Sequence, residues 1–305
     1  MAIGISVVMP NWNKGLYIES AIRSVLDQNY RDFELIVVDG SSNDFSKSAI
    51  ERLASYDGRV KPIFQESNEG IAAARNIGIR AAHSNLVTFV DSDDLVSPNR
   101  LRELVDLSRK SKTRSIVYSD VAEMDANASR FDSYPSSWLR PSGMILTEFL
   151  RLSHGDTNSI TGLPNCGGSL TLPASCFDAV GYFDETLTYS EDLDMVLRLA
   201  ARFPFIYNRI VSYGHRWHSQ NSYYQLGRRE RYRQKARVIE KNLFINLESL
   251  DSTTVSSAFL SLMSFELASR QYSMVVRHAL HDWNAMRAVP MLARRVLETR
   301  IRSFW

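Results

Sequence analysis

Short apolar segments that run directly into polar loops recur along the N-terminal third of the chain, and this repetition constrains the fold more than any other feature. Ile3–Met9, Phe33–Val38 and Leu86–Val90 are almost continuously apolar, and helical patterns separate them. Strands that are apolar on both faces are typical of parallel sheets covered by helices on both sides. The pattern therefore predicts an α/β fold with a mainly parallel central sheet flanked by helices. Further predicted elements are a strand at Val60–Phe64 and helices at Leu16–Leu26 and Glu69–Ala82.

Three polar loops follow the predicted strands: Pro10–Asn13, Asp39–Asp44 and Asp91–Asp94. Pro10 is expected to end the first strand, and Asn68 to open the third helix. In open parallel sheets, ligands bind in the crevice beyond the carboxyl ends of the strands, so the three loops should converge on one cleft. None of them contains G-x-G-x-x-G or G-x-x-x-x-G-K-[ST], which disfavours a dinucleotide-binding Rossmann fold and a phosphate-binding P-loop.

The third loop places Asp91, Asp93 and Asp94 directly after an apolar strand. A buried core does not accept three carboxylates without a cationic partner. Carboxylate oxygens suit Mg²⁺ or Mn²⁺, which commonly take substrate phosphates as further ligands. The alternative is a solvated turn followed by a helix cap. We expect Asp94 in particular to cap a helix that begins near Pro98.

Composition limits the compartment and the partners. The chain has two cysteines, no basic leader and no apolar run long enough to span a bilayer, which predicts a cytoplasmic protein.

Residues 223–305 carry 14 Lys and Arg against 7 Asp and Glu, whereas the preceding residues carry 22 against 27. The basic, amphipathic C-terminal helices are expected either to contact the inner face of a membrane or to pack on the rest of the protein. No nucleic-acid partner is expected.

Four segments in order resemble the family 2 glycosyltransferases: V-V-M-P-N-W-N, F-E-L-I-V-V-D-G-S-S-N-D, N-E-G-I-A-A-A-R-N-I-G-I-R-A-A and V-T-F-V-D-S-D-D-L-V-S-P-N-R-L. The resemblance continues through V-G-Y-F-D-E-T-L-T-Y-S-E-D-L-D-M-V-L-R-L. It implies a GT-A-type nucleotide-diphospho-sugar transferase fold in residues 1–222, with a nucleotide-binding half at about 1–100 and an acceptor and catalytic half at about 101–222. Residues 223–305 would then form a helical C-terminal extension.

The resemblance also implies roles for nucleotide-binding residues. Asp39 matches the carboxylate that holds the uracil ring, and the loop with Pro10, Asn11 and Asn13 would form the wall beside it. Arg75 matches an arginine near the nucleotide and the metal-binding loop. Gly40 replaces a second acidic residue that the family often has, which leaves open which nucleotide base the site binds.

For the metal and the chemistry, Asp91 and Asp93 match the D-x-D motif of the family. Asp91 and Asp93 would form the metal site for Mn²⁺ or Mg²⁺, with Asp93 as the direct ligand and Asp91 in contact with the ribose or a metal-bound water. His218 would be a third metal ligand or a phosphate contact. Asp192 matches the catalytic base, although acids at a helix N-terminus are also common as caps. The remaining residues assigned to the sugar-binding region are Gly167, Gly168, Glu191 and Trp217.

These roles predict an inverting, metal-dependent glycosyltransferase of the hexosyltransferase type. Its donor would be a nucleotide sugar, UDP-linked, and its acceptor a saccharide, in the biosynthesis of a surface polysaccharide or glycan. A bacterial setting would favour a lipid-linked acceptor. The alternatives are a non-catalytic nucleotide- or carbohydrate-binding protein of the same fold and a sugar nucleotidyltransferase. The nucleotidyltransferase would need a Gly-rich, basic N-terminal loop, which P-N-W-N-K-G matches poorly.

Overall fold

A computed structural model of the chain describes residues 4–111, 113–128, 131–132, 142–147, 150, 170–246, 249–250, 254–255, 258, 262, 265–266 and 269–270. The chain divides into two compact units. The first comprises Met1–Ile145 and Pro164–Asn221, and the second comprises Leu146–Leu163 and Ser222–Trp305.

The first unit is built on one mixed sheet, in which the described strands follow the order β3-β2-β1-β4-β8-β6-β9-β5, with β7 paired to β6. The strands are β1 (Ile5–Asn11), β2 (Phe33–Asp39), β3 (Val60–Phe64), β4 (Leu86–Phe89), β5 (Leu95–Val96), β6 (Ile116–Met124), β7 (Phe131–Asp132), β8 (Thr171–Pro173) and β9 (Phe205–Arg216). Its helices are α1 (Ile18–Leu26), α2 (Ser46–Tyr56), α3 (Ile71–Ala81), α4 (Arg100–Lys110), α5 (Cys176–Val180) and α6 (Glu191–Ala200).

Strands β3, β2, β1 and β4 are mutually parallel, as the apolar pattern predicts. Both faces of this part of the sheet are buried. In β2, Leu35 and Val37 belong to the core on the side of α1, α2 and α4, whereas Ile36 and Val38 pack with Ala74 of α3 on the other side. Side chains alternate between the faces of a strand, so a strand covered on both sides must be apolar throughout.

The first strand extends past Pro10, contrary to the expectation that Pro10 would end it. The carbonyl of Val8 accepts a hydrogen bond from Val90 N on the side of β4, and the carbonyl of Asn11 accepts one from Gly40 N on the side of β2. Pro10 therefore faces the β4 side, where the pairing of β1 with β4 has already ended at Val8 and Phe89. Its missing N–H leaves no ladder bond unmade, and the strand continues.

Two other boundaries differ from the sequence prediction. Helix α3 begins at Ile71, because Gly70 (φ 92°) has a backbone conformation that cannot belong to a helix. The side chain of Asn68 accepts a hydrogen bond from Gly70 N and so shapes the turn before the helix. Strand β9 continues to Arg216 because it pairs with β6 as far as Met124, so His215 lies in a strand and not in a loop.

The second unit contains α7 (Ser222–Gln225) and α8 (Arg228–Asn246). The ring of Tyr232 on α8 stacks on Phe265 with 5.8 Å between centroids, and Arg229 Nε donates to the carbonyl of Ser269. Within the described ranges, every helix is too short or too polar to cross a lipid bilayer. The predicted amphipathic segment over residues 286–305 lies outside the described residues.

The contact between α3 and β1 gives a stability prediction. A Cβ at Gly78 would lie 2.4 Å from Val8 Cγ1, so replacing Gly78 with alanine must displace the Val8 side chain or the helix. Overpacking of this kind costs about 1–3 kcal/mol, and we expect Gly78→Ala to lower the free energy of unfolding by that amount in urea titrations. Gly58→Ala is the matched control, because a Cβ there meets nothing within 4 Å. Equal stability of the two variants would contradict the close packing.

Candidate active site

The loops after β1 and β2 are joined by side-chain hydrogen bonds at the carboxyl edge of the sheet. Asn11 Nδ2 donates to Asp39 Oδ1 at 2.6 Å, and Asn13 Oδ1 accepts from Asn43 N at 2.9 Å. Asn13 has a left-handed backbone (φ 52°), a conformation that asparagine tolerates better than most residues. The structure thus brings together four of the residues predicted to bind the nucleotide, namely Pro10, Asn11, Asn13 and Asp39.

Asp39 is almost fully buried, and its carboxylate is held from three directions. Oδ1 accepts from Asn11 Nδ2 and from Ser42 Oγ (2.6 Å), and Oδ2 accepts from Ser42 N (2.9 Å). A carboxylate has roughly four acceptor positions, so one remains for a further donor. The neighbouring Asn11 Oδ1 is also buried and receives no hydrogen bond from the residues that the structure describes.

Arg75 of α3 connects two acidic segments that are distant in sequence. Its Nη1 donates to Glu191 Oε1 at 2.7 Å, and its Nη2 donates to Asp91 Oδ1 at 3.1 Å. Only 2% of the Arg75 side chain is exposed, which places the guanidinium beneath the surface of the cleft. Arg75 therefore joins the loop after β4 to the first residue of α6.

Burial and neighbouring charges shift the pKa values of the carboxylates in this cluster. Burial raises the pKa of Asp91 to about 7, and the negative charges of Asp94 and Asp93 add to the increase against the opposing effect of Arg75. Burial and the adjacent Asp192 raise the pKa of Glu191 as well, again against Arg75. Perturbed carboxylates with specific charged partners are typical of functional sites.

Asp93 lies against two other parts of the chain. Its Oδ2 is 2.8 Å from Lys14 Nζ, in the loop after β1, and 2.9 Å from His218 Nε2, beyond β9. Burial alone would raise the pKa of Asp93, but the hydrogen bond from His218 and the charge of Lys14 hold it below its usual range. The ring of Tyr17 stacks on His218 with 4.4 Å between centroids. The sequence prediction gave Lys14 no role, although it is the first cation after the first strand.

Asp93 and His218 are suitable donors for a divalent cation. Asp93 Oδ2 and His218 Nε2 lie 2.9 Å apart, the length of an ordinary hydrogen bond, so the two residues that would hold the ion are already adjacent. Lys14 shows that Asp93 Oδ2 accepts a cation here. His218 Nδ1 accepts a hydrogen bond from Gln220 N, so the proton of the neutral ring lies on Nε2. For Nε2 to bind a metal, that proton must move to Nδ1, and the Gln220 N–H must then turn away from Nδ1. In the part of the chain that the structure describes, no three acidic, His or Cys side chains converge on one metal position.

Asp94 does not cap the following helix, contrary to expectation. Helix α4 begins at Arg100, and its N-terminus has no side-chain cap. Asp94 instead accepts from Tyr213 Oη at 2.6 Å and from Arg216 N at 2.8 Å. Burial alone would lower the pKa of His215, but the charge of Asp94, 3.3 Å away, raises it to about 9. The extension of β9, missed in the sequence, delivers these partners.

The remaining predicted site residues are described only in part. Asp192 is half-buried in the first turn of α6, and its Oδ1 accepts from Leu193 N at 2.7 Å. Trp217 packs edge to face on His215 with 5.0 Å between ring centroids. Gly167 and Gly168, assigned to sugar binding, lie outside the described residues.

The chain is similar in sequence to known glycosyltransferases. Residues 6–156 match the family model described as Glycosyl transferase family 2. An uncharacterized glycosyltransferase of Haemophilus influenzae is 41% identical over 99 residues, covering 32% of this chain and 40% of that protein. The putative teichuronic acid biosynthesis glycosyltransferase TuaG of Bacillus subtilis is 31% identical over 135 residues, covering 44% and 54%. The chain spans about a third of the length of a similar Rickettsia conorii protein, of which it covers 34%.

Solved structures establish the fold. Residues 1–349 of Staphylococcus aureus TarS in complex with UDP-GlcNAc superpose with a TM-score of 0.61 at 16% identity, covering 87% of this chain and 81% of that one. The complex of the same protein with UDP gives a TM-score of 0.58 at 17% identity, covering 96% and 91%. The predicted α/β fold of the GT-A type is confirmed.

The Arg75 bridge can be tested through stability. Replacing Arg75 with methionine leaves the buried Glu191 and the partly exposed Asp91 without their shared cation, and loss of one partner of a buried ion pair costs about 3–5 kcal/mol. We expect Arg75→Met to lower the free energy of unfolding by that amount at neutral pH. Arg52→Met is the matched control, because Arg52 pairs with Glu19 on the surface, with 45% of its side chain exposed. A loss no greater than that of the control would contradict the bridge.

Proposed function

Through residues 6–156 the chain belongs to glycosyl transferase family 2, and we propose that it is an inverting glycosyltransferase that moves a sugar from a UDP-linked donor to a saccharide acceptor. One observation carries the proposal. Arg75 binds both Asp91, of the predicted donor site, and Glu191, next to the predicted base. A transferase needs its donor site and its base side by side, because the acceptor oxygen must reach the anomeric carbon in line.

The proposed nucleotide site is the cluster after β1 and β2. The carboxylate of Asp39 has capacity for an N–H of the uracil ring, since three of its roughly four acceptor positions are filled by protein. The buried Asn11 Oδ1 supports a ligand here, because an unsatisfied buried acceptor costs about 1–3 kcal/mol. The structural relative TarS has been crystallised with UDP and with UDP-GlcNAc, which favours a UDP-linked donor.

We propose Asp93 as the ligand for Mn²⁺ or Mg²⁺, with His218 as a second ligand once the Gln220 N–H has turned away. When bound, the divalent cation supplies positive charge to the departing nucleoside diphosphate. Lys14 already brings positive charge to Asp93 in this arrangement. Asp91, whose Oδ1 is held by Arg75, would face the ribose and would not be a direct metal ligand.

We propose Asp192 as the general base. Its carboxylate would take the proton of the acceptor hydroxyl as that oxygen attacks the anomeric carbon. The bond to the diphosphate oxygen breaks with its electron pair leaving on UDP, so one displacement inverts the anomeric centre. The N-terminus of α6 stabilises the negative charge of Asp192 before it accepts the proton.

For the biological setting, we propose a lipid-linked saccharide acceptor in surface polysaccharide or glycan biosynthesis. The similar protein TuaG carries a putative role in teichuronic acid biosynthesis, which supports a polysaccharide pathway. The excess of Lys and Arg in residues 223–305 would attract the chain to anionic lipid, where such an acceptor resides.

The metal assignment makes a binding prediction. We expect the affinity for UDP, measured by calorimetry, to rise on addition of MnCl₂, since Asp93 would hold the cation and its positive charge would favour binding of the diphosphate. Asp93→Ala should bind UDP equally with and without MnCl₂, because the metal has lost its carboxylate. Asp178→Ala, at an exposed position on α5, should behave like the unchanged protein. Retention of the manganese effect in Asp93→Ala would rule out Asp93 as the ligand.

The catalytic assignment makes a separate prediction. Asp192→Asn keeps the shape of the side chain but cannot take a proton at neutral pH. We expect the rate of transfer from UDP-sugars to saccharide acceptors, measured by the release of UDP, to fall about 10²–10⁴-fold. The dissociation constant for UDP should stay within about twofold. NMR of the product should show the opposite anomer to that of the donor. Near-normal turnover in Asp192→Asn would refute the base, and a retained anomer would refute inversion.

A further inference from the structure

Helix α3 holds the loop before α6 at both ends with adjacent residues. Arg75 binds Glu191, at the start of α6, and the next residue, Asn76, binds Phe183, where the loop of residues 183–190 begins. Resting on the proposed role of Asp192 as base, we propose that Asn76 is a positioning residue, which fixes this loop so that Asp192 is presented to the acceptor.

Asn76 uses its amide in both directions. Its Nδ2 donates to the carbonyl of Phe183 at 2.9 Å and to Glu185 Oε1 at 2.7 Å, and its Oδ1 accepts from Phe183 N at 2.8 Å. Only 1% of the residue is exposed, so water competes little for its two bonds to the buried backbone of Phe183, whereas the bond to Glu185 reaches the surface. A side chain that closes both backbone groups of one residue fixes its position in the way that a strand neighbour would.

The ring of Phe183 ties the same point to the donor site. It packs edge to face on Phe89, the last residue of β4, with 5.6 Å between centroids. The guanidinium of Arg75 lies 5.4 Å from the centroid of the Phe183 ring. Asn76 therefore holds a residue that lies between the strand leading to Asp91 and the arginine that binds Asp91 and Glu191.

The backbone between the two anchors is strained. Ser190, directly before α6, has a left-handed conformation (φ 66°), which is unfavourable for a residue with a side chain. Such conformations persist only where the surrounding structure determines them. With the loop fixed at Phe183 and at Glu191, the strained turn is retained, and the first turn of α6 with Asp192 keeps its direction.

The test is Asn76→Asp, which preserves size but replaces the donor Nδ2 with an acceptor facing the Phe183 carbonyl and Glu185. We expect kcat for transfer from the UDP-sugar donor to fall between about 10- and 100-fold, with the dissociation constant for UDP within about twofold, because a small misplacement of a catalytic group slows the chemistry without affecting the donor site. Adding Glu185→Gln should recover part of kcat, since the glutamine amide can donate to the new carboxylate. Asn29→Asp, at an exposed position bonded to Asn99, should leave kcat unchanged.

Hydrogen–deuterium exchange separates this inference from the proposed function. In Asn76→Asp, amides of residues 183–193 should exchange faster while those of β1 keep their rates, whether or not Asp192 is the base. Unchanged exchange in that segment, unchanged kcat, or an equal loss of UDP affinity and kcat would overturn the positioning role. Near-normal turnover in Asp192→Asn would instead refute the base alone. If Asn76→Asp does not fold, Glu185→Ala, at an exposed position, should show a smaller loss of kcat and faster exchange in residues 183–193.

Discussion

The structure depends on partners for the carboxylates that follow β4. Each acid has its own: Asp91 pairs with Arg75, Asp93 with Lys14 and His218, and Asp94 with Tyr213 and the Arg216 amide. A buried carboxylate without such partners would be neutralised or would destabilise the fold. The cationic partner that the sequence requires is therefore supplied first by the chain itself. A divalent cation would join an arrangement that is already balanced in charge.

These partners come from α3, from the loop after β1 and from the end of β9, so the acidic loop fixes three separate elements at one edge of the sheet. Buried ion pairs are weak evidence of stability, because desolvation offsets most of their attraction, and apolar residues of similar size often serve better. The Arg75 bridge is better understood through geometry. It holds the predicted base and the predicted donor site in register, which packing of apolar side chains alone would leave less precisely defined.

The strands and motifs that depend on residues close together in the chain could be predicted from the sequence. The side-chain pairs that join residues far apart in the chain could not. The strand Phe33–Val38 and the acidic loop at Asp91–Asp94 follow from local pattern. The role of Asp94 was wrong because its partner Tyr213 is 119 positions away on a strand whose length is set by pairing with β6. Lys14 was overlooked for the same reason, since a lysine in a polar loop is unremarkable until Asp93 lies 2.8 Å from it. The acidic motif at Asp91–Asp94 could be recognised in the sequence, but the residues that pair with it could not.

The same distinction explains why Asn76 carries no signal of its own. An asparagine within a helix has modest helix propensity and ordinarily faces solvent, where its amide finds water. In α3 it is buried and replaces a missing strand partner for Phe183, 107 positions later. The helix is also constrained on the side that faces the sheet, because Gly78 allows close contact with Val8 of β1. A helix held this tightly against the sheet is a rigid support from which Arg75 and Asn76 can set the position of a distant loop. The proposed base, Asp192, would require such rigidity, because it would have to act on a precisely placed hydroxyl.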